Sequence, residues 1–367
     1  MTTEEMNCME RALASVGNQP VDRLPVAPLA CGVNRRLVGT TYREYASSGE
    51  GYADAWVAGW KEWGYDAIVG LGDLSIISGD MGADVKYPEE NTPTTIGGGM
   101  IKEDDDYRRL KVPQVNKGTR MWDLVEGVRL TKERVGDEVL VLPLVEGPLL
   151  ALTQLAGTEK VLMDMYRCPD ALHEALQTLV EVDKVFCQAL VEAGAHGIVM
   201  DYLWGNYSCL GDDQYMEFEG TKYAPEVNAF LAELGTAFVI HNCADLPHLD
   251  TQISAMKPLV YSYCTYPDIE GSLTTKEAIL KYGHETVVLG NYDPQLFVRG
   301  TAEDVRRATE DMLRDATEGL KEAGLVSRFC VASGCEVPPA LSTNLDNIKI
   351  MCDTVRELGP KYQAQLN

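Results

Sequence analysis

The stretch FVIHNCADLPHLD, Phe238–Asp250, decides how this chain is read. Phe238, Val239 and Ile240 are the aromatic and β-branched types that pack inside a sheet. The run then stops at His241, Asn242 and Cys243, an imidazole and a thiol two residues apart. On a strand, residues i and i+2 point to the same side, so His241 and Cys243 share a face. A core strand ending in two metal-capable side chains belongs to folds that keep their chemistry at strand ends.

Seven more short apolar runs bounded by turn signals accompany the one at Ala237–Cys243. They are Leu24–Cys31, Asp66–Gly72, Val139–Glu146, Gly197–Leu203, Leu259–Cys264, Thr286–Asn291 and Arg328–Cys335. Most are too continuously apolar for strands with one wet face, and they read as parallel strands covered on both sides. Helical patterns lie between them. Trp56, Trp60 and Trp63 mark one stripe, and Leu172, Leu176, Leu179, Phe186 and Leu190 a longer one. Residues Thr274–Tyr282, Thr301–Ala323 and Asn344–Leu358 add three more. Eight β-then-α units with no evident linker predict a single (β/α)8 barrel, an α/β fold, over residues 1–367. Residues 1–22 read as a helical extension, and 75–120, after the second strand, as a long insertion loop with room for a hairpin.

A chain of 367 residues, 45% hydrophobic, buries enough surface to need no staple. The net charge of -24 argues against nucleic acid and anionic membrane surfaces. No apolar run approaches the ~18 residues of a membrane span, and the polar N-terminus reads as an amphipathic helix rather than a secretory signal. Ten scattered cysteines suit a reducing, cytoplasmic setting, with some thiols free for metal or catalysis. The sequence leaves the oligomeric state open, a homodimer included.

Barrel active sites sit at the C-terminal ends of the strands. His241 and Cys243 end the fifth strand, Cys335 the eighth, Glu146 the third and Asn291 the seventh, and Asp201 lies near the end of the fourth. Cys335 could complete a three-ligand set with His241 and Cys243, suited to Zn(II) with a fourth position open for catalysis. Glu146 and Asp201 have two readings each: partners that orient a ligand, or a fourth ligand or proton donor. Of the other histidines, only His248 lies where it could reach the barrel mouth.

Four segments resemble the uroporphyrinogen decarboxylase superfamily: NQPVDRLPVAP (18–28), LVEGPLLALTQLAG (144–157), LGNYDPQLFVRGTAEDV (289–305) and SGCEVPPALSTNLDNIKIM (333–351). The family fold is a (β/α)8 barrel. Its decarboxylases carry M-R-Q-A-G-R-Y after the first strand, whose arginines hold substrate carboxylates. This chain has ACGVNRRLVGTTYREY there, with Arg35 and Arg36 but without the motif. A second branch contains cobalamin-dependent methyltransferases with zinc ligands H-x-C after strand five and Gly-Cys after strand eight. His241, Cys243 and Cys335 match these one by one, although H-N-C-A-D here replaces the frequent H-x-C-G-N, with Ala244 for glycine.

The resemblance therefore implies a zinc-dependent methyltransferase working with the cobalt of a corrinoid-binding protein. No D-x-H-x-x-G corrinoid signature occurs in this chain, so the corrinoid is expected on a partner. Tyr202, Trp204, Tyr207, Tyr261, Tyr263, Tyr266 and Tyr292 cluster near strand ends. Tyrosines combine flat apolar walls with hydroxyl donors, which favours a methoxylated aromatic as the small methylated substrate. The expected substrate-binding residues are Tyr202, Tyr207, Tyr261, Tyr263, Tyr292, Asn291 and Arg35. The alternatives are methyl transfer from methylcobalamin to a thiol such as coenzyme M, and decarboxylation of a polycarboxylate.

Overall fold

The computed structural model describes residues 5–95 and 99–366. Its strands are β1 (Ala67–Gly70), β2 (Val85–Lys86), β3 (Thr94–Thr95), β4 (Leu140–Glu146), β5 (Gly197–Asp201), β6 (Ala237–Asn242), β7 (Val260–Tyr263), β8 (Val287–Tyr292) and β9 (Phe329–Ser333). β2 and β3 form a small antiparallel hairpin. The other seven make one parallel sheet in the order β1-β4-β5-β6-β7-β8-β9, which is chain order throughout. Parallel neighbours need crossover connections, and helices supply them here. Arg120–Val135, Pro169–Glu192, Tyr223–Glu233, Leu249–Met256, Thr275–Tyr282 and Ala302–Ala323 each lie between successive strands, and Leu345–Gln363 follows the last.

The expected first strand, Leu24–Cys31, is not a strand of this sheet. Only Val26 forms a parallel bridge, to Val331. Pro25 and Pro28 remove two amide donors from the segment, so a regular ladder cannot form. The segment still fills the eighth position. The Ala27 amide donates to the Val331 carbonyl (2.9 Å), and the Val331 amide to the Pro25 carbonyl (2.8 Å). On the other side, the Asp66 amide donates to the Val26 carbonyl (2.7 Å). β9 and β1 are thus joined through an extended, proline-interrupted segment.

The N-terminal helix, Cys8–Val16, starts in a capping box between Asn7 and Glu10. Its Arg11 is fully buried and is tied to Asp22 and to Asp66. Asp66 also pairs with Arg23 at 2.7 Å and accepts from the Val26 amide at 2.8 Å. One buried carboxylate therefore links the extension, the closing segment and the start of β1.

Alternation sorts the side chains into two layers. Leu29, Val69, Leu144, Val199 and Val239 pack together inside the barrel, as do Ala27, Ala67, Leu289, Cys330 and Ala332. The larger core lies between sheet and helices, and holds Trp56, Tyr202, Tyr261 and Tyr263. The segment expected to be a long loop contains the helix Ile76–Asp80, the β2–β3 hairpin and the short helix Asp104–Tyr107. It is pinned near the C-terminal strand ends. Thr92 Oγ1 donates to Glu336 Oε2 (2.6 Å), Thr95 Oγ1 to the Gln154 carbonyl (2.8 Å), and Arg35 Nη2 to the Glu89 carbonyl (2.7 Å). No described helix is long and apolar enough to cross a membrane.

Candidate metal centre

His241 is the fifth residue of β6 and Cys243 lies one residue beyond its end. Val239, two residues earlier, packs inside the barrel, so alternation turns His241 inward as well. Asn242 faces the other way, where its side-chain amide donates to the carbonyls of Tyr202 (2.9 Å) and Gly205 (3.0 Å). Cys335 lies two residues past β9. The glycine before it is required by packing: a Cβ at Gly334 would sit 2.8 Å from the Asn291 carbonyl oxygen.

The ligand atoms of His241, Cys243 and Cys335 all lie within 4.8 Å of one another. The two sulfurs are 3.1 Å apart, well beyond the ~2.05 Å of a disulfide. Two sulfurs on one tetrahedral zinc, at bonds of about 2.3 Å, span roughly 3.8 Å, so metal binding requires only a small opening of the pair. The Cys243 thiol hydrogen-bonds Cys335 and, with His241 adding to the effect, holds the Cys335 thiol well below its ordinary range; the same bond raises Cys243. Burial works against charge on His241, but its bond to Cys335 and the field of Asp201 leave it raised. One thiolate beside an imidazole and a second thiol is a donor set that fits a zinc ion.

His241 Nδ1 lies 2.9 Å from Ser262 Oγ, which engages that nitrogen and leaves Nε2 to face the sulfurs. Ser262 is the one polar residue within the four-residue β7, VYSY, apart from its tyrosines. A lone serine flanked by larger residues was the available signal for it, and it was missed. Tyr266 also belongs to the neighbourhood, donating from its hydroxyl to the Cys243 carbonyl (2.7 Å). Ser262→Ala is expected to lower zinc affinity about 10- to 100-fold, the usual effect of losing a group that orients a ligand. Competition against a chelator measures it; an unchanged affinity would remove Ser262 from the site.

Glu146, Asp201, His241 and Ser262 are direct partners across β4, β5, β6 and β7. They form one row across the inner face of the sheet. Burial, and then the charge of Asp73, push Glu146 up to about 8. Burial raises Asp201 to about 6 against the pull of His241, and Glu336, beside Cys335, to about 7. Arg120, the nearby cation, forms a salt bridge with Asp73.

These shifts set a pH dependence. At these three carboxyls the folded state binds protons more tightly than the unfolded one, so their contribution to stability is fully present below the ordinary carboxyl range and is lost as pH rises. For Glu146 the window runs from 4.5 to about 8. Metal-free protein is expected to lose stability steadily across it. Glu146→Gln should flatten the loss, gaining up to about 5 kcal/mol over the parent between pH 5 and pH 9. Denaturant melts at pH 5, 7 and 9 measure this; parallel slopes for both proteins would refute it.

The expected substrate residues lie elsewhere. Ser262 faces the interior, so Tyr261 and Tyr263 face the helices, where they bond Gln252 and the Thr274 carbonyl. Tyr202 is fully buried in the same outer layer. Tyr292 packs against Phe297, with ring centroids 5.7 Å apart. Tyr207 is exposed in the loop after β5 and touches the His248 ring. Asn291 is held by Thr275 and Tyr263. Arg35 is buried over the Tyr42 ring and paired with Glu89. His248 turns Nε2 to the Leu210 carbonyl, away from the cluster. A second group of donors, Asp104, Asp164 and Cys168, is equally close-set, but Tyr107 and Lys160 already engage Asp164.

Known proteins share this architecture. The methyltransferase from Methanosarcina mazei superposes with a TM-score of 0.79 at 21% identity, covering 96% of this chain and 99% of its own. In sequence, the chain is 20% identical to the methylcobamide:CoM methyltransferase MtaA of Methanosarcina barkeri, over 95% of this chain and 97% of that protein. It is 24% identical to the uroporphyrinogen decarboxylase of Francisella philomiragia, over 80% of this chain and 81% of the relative. Residues 7–358 match the uroporphyrinogen decarboxylase (URO-D) family. With nearly the whole chain matched, and both decarboxylases and a corrinoid methyltransferase among its relatives, this protein belongs to the URO-D family.

Proposed function

We propose that the chain is a zinc-dependent methyltransferase that moves a methyl group from a small methyl ether to the cobalt of a corrinoid-binding protein. The observation that carries this reading is the convergence of one imidazole and two sulfurs from the ends of β6 and β9. Zinc held by His241, Cys243 and Cys335 would act as a Lewis acid on a substrate oxygen or sulfur. The chain's own part is to place that atom. Ser262 orients His241, Tyr266 holds the turn at Cys243, and the inward row of Glu146 and Asp201 walls the substrate side. Tyr202, Tyr261 and Tyr263, which pointed to an aromatic ring, face the helices, and of the tyrosines named only Tyr266 stands beside the metal centre, so the ether oxygen is the feature the site is read as recognising. A corrinoid carried by a partner would accept the methyl group and supply the difficult chemistry.

Thiol methylation is the second reading. It is favoured by the near full-length similarity to a methylcobamide:CoM methyltransferase. Decarboxylation finds less support. Arg36 is spent on the carbonyls of Ala340 and Thr343, and Arg35 on Glu89. Neither replaces a cluster of bidentate carboxylate partners.

The test is methyl transfer by the purified, zinc-loaded chain with a reduced corrinoid protein, against methoxylated aromatics, methylamines and, from methylcobalamin, thiols. Ether-dependent methylation of cobalt that vanishes with chelation supports the proposal. Full activity without zinc, or activity with thiols alone, refutes it.

A further inference from the structure

We propose that Glu146 is the acid that delivers a proton to the oxygen losing its methyl group, an inference that rests on the ether-cleaving reading above. Three observations carry it. First, Glu146 crowns the inner face of β4, above Leu144, and lies beside Asp201, which lies beside His241. It therefore shares the level of the metal centre, two strands away. Second, it stands outside the close-set donor group. Among the described residues, His241, Cys243 and Cys335 form a close-set donor group that does not include Glu146 or Asp201. Third, Glu146 is 2% exposed, and neither of its carboxyl oxygens has a hydrogen-bond partner of ordinary geometry. A buried carboxyl without a partner is costly unless it is neutral or meets a ligand.

The surroundings favour the neutral form. Burial, the charge of Asp73 and then that of Asp201 raise Glu146, while Arg120, itself in a salt bridge with Asp73, and the Ile77 amide offset only part of the effect. With Glu146 pushed up to about 8, the acid carries its proton at neutral pH, as a general acid for an oxygen leaving group requires.

The O–CH3 bond breaks and its electron pair stays on oxygen. The methyl carbon bonds to the corrinoid Co(I), which becomes Co(III). The Glu146 proton moves to the oxygen, giving an alcohol or phenol and leaving a carboxylate. Solvent restores the proton after product leaves.

The experiment compares the full-length zinc enzyme with Glu146→Gln on aryl methyl ethers, from nitro-substituted to alkyl-substituted rings, with a reduced corrinoid protein. The variant should keep its zinc. It should lose about 100-fold or more on alkyl-substituted ethers, whose phenols leave badly without a proton, and less than about 5-fold on nitro-substituted ones. A uniform loss across the series, or none, overturns the assignment while leaving ether cleavage standing. An enzyme that cleaves no ether at all overturns both. Infrared difference spectra at neutral pH supply a second readout. The parent-minus-variant spectrum should contain the carbonyl stretch of one protonated carboxylic acid, and a difference spectrum without that band refutes the proposal.

Discussion

Cys335→Ala is expected to reduce bound zinc from about one per chain to near zero and to lower methyl transfer by at least about a thousandfold. The reasoning is geometric. Three protein ligands are the usual minimum for a catalytic zinc that keeps one position open. His241 and Cys243 lie two residues apart on one strand end, so Cys335 alone brings the second side of the cage. Without it, two neighbouring donors hold the metal no better than an exposed surface pair. Cys243→Ser should behave similarly, because a hydroxyl replaces a thiol that bound zinc would hold as thiolate. The exposed Cys209 is the control, and Cys209→Ser should change nothing. Metal analysis after dialysis, with activity measured on the same samples, checks the result. Retained zinc in Cys335→Ala would show that the ion is held elsewhere.

The largest effect on stability is expected far from that site. Asp66 is 1% exposed and receives charged hydrogen bonds from Arg11 (2.6 Å) and Arg23 (2.7 Å) as well as the Val26 amide. Asp66→Ala takes a counter-charge away from two buried guanidiniums. Breaking a buried pair from one side costs roughly 3–5 kcal/mol. The loss falls where the barrel closes, since only the proline-interrupted segment joins β9 to β1. Asp66→Ala should therefore unfold at markedly lower denaturant and expose the Cys8–Val16 helix to proteolysis first. A loss below about 1 kcal/mol in urea melts would contradict this role.

The repeating β-then-α order was legible because parallel strands, covered on both faces, leave uninterrupted apolar runs such as FVI and VVL. The closing segment was legible as apolar but not as irregular, although Pro25 and Pro28 were in plain view. Its neighbours supply enough hydrogen bonds to hold it extended without a ladder. The three candidate metal donors stood out because i and i+2 on a strand must share a face, and because Gly334-Cys335 lies at another strand end. The tyrosines show what that rule lacks. Tyr261 and Tyr263 share a face as surely as His241 and Cys243 do, yet nothing local says which face is inner. Ser262, matched in register to His241, settles it. Register between strands is a property of the assembled sheet, and one run read alone does not contain it.

The most direct test of the account is X-ray absorption at the zinc edge of the purified, zinc-loaded chain. The spectrum should show two sulfurs at about 2.3 Å with one imidazole nitrogen and one lighter atom around the ion, and Cys335→Ala should lose one sulfur. A shell of oxygen and nitrogen alone, or a spectrum unchanged by that substitution, would contradict it.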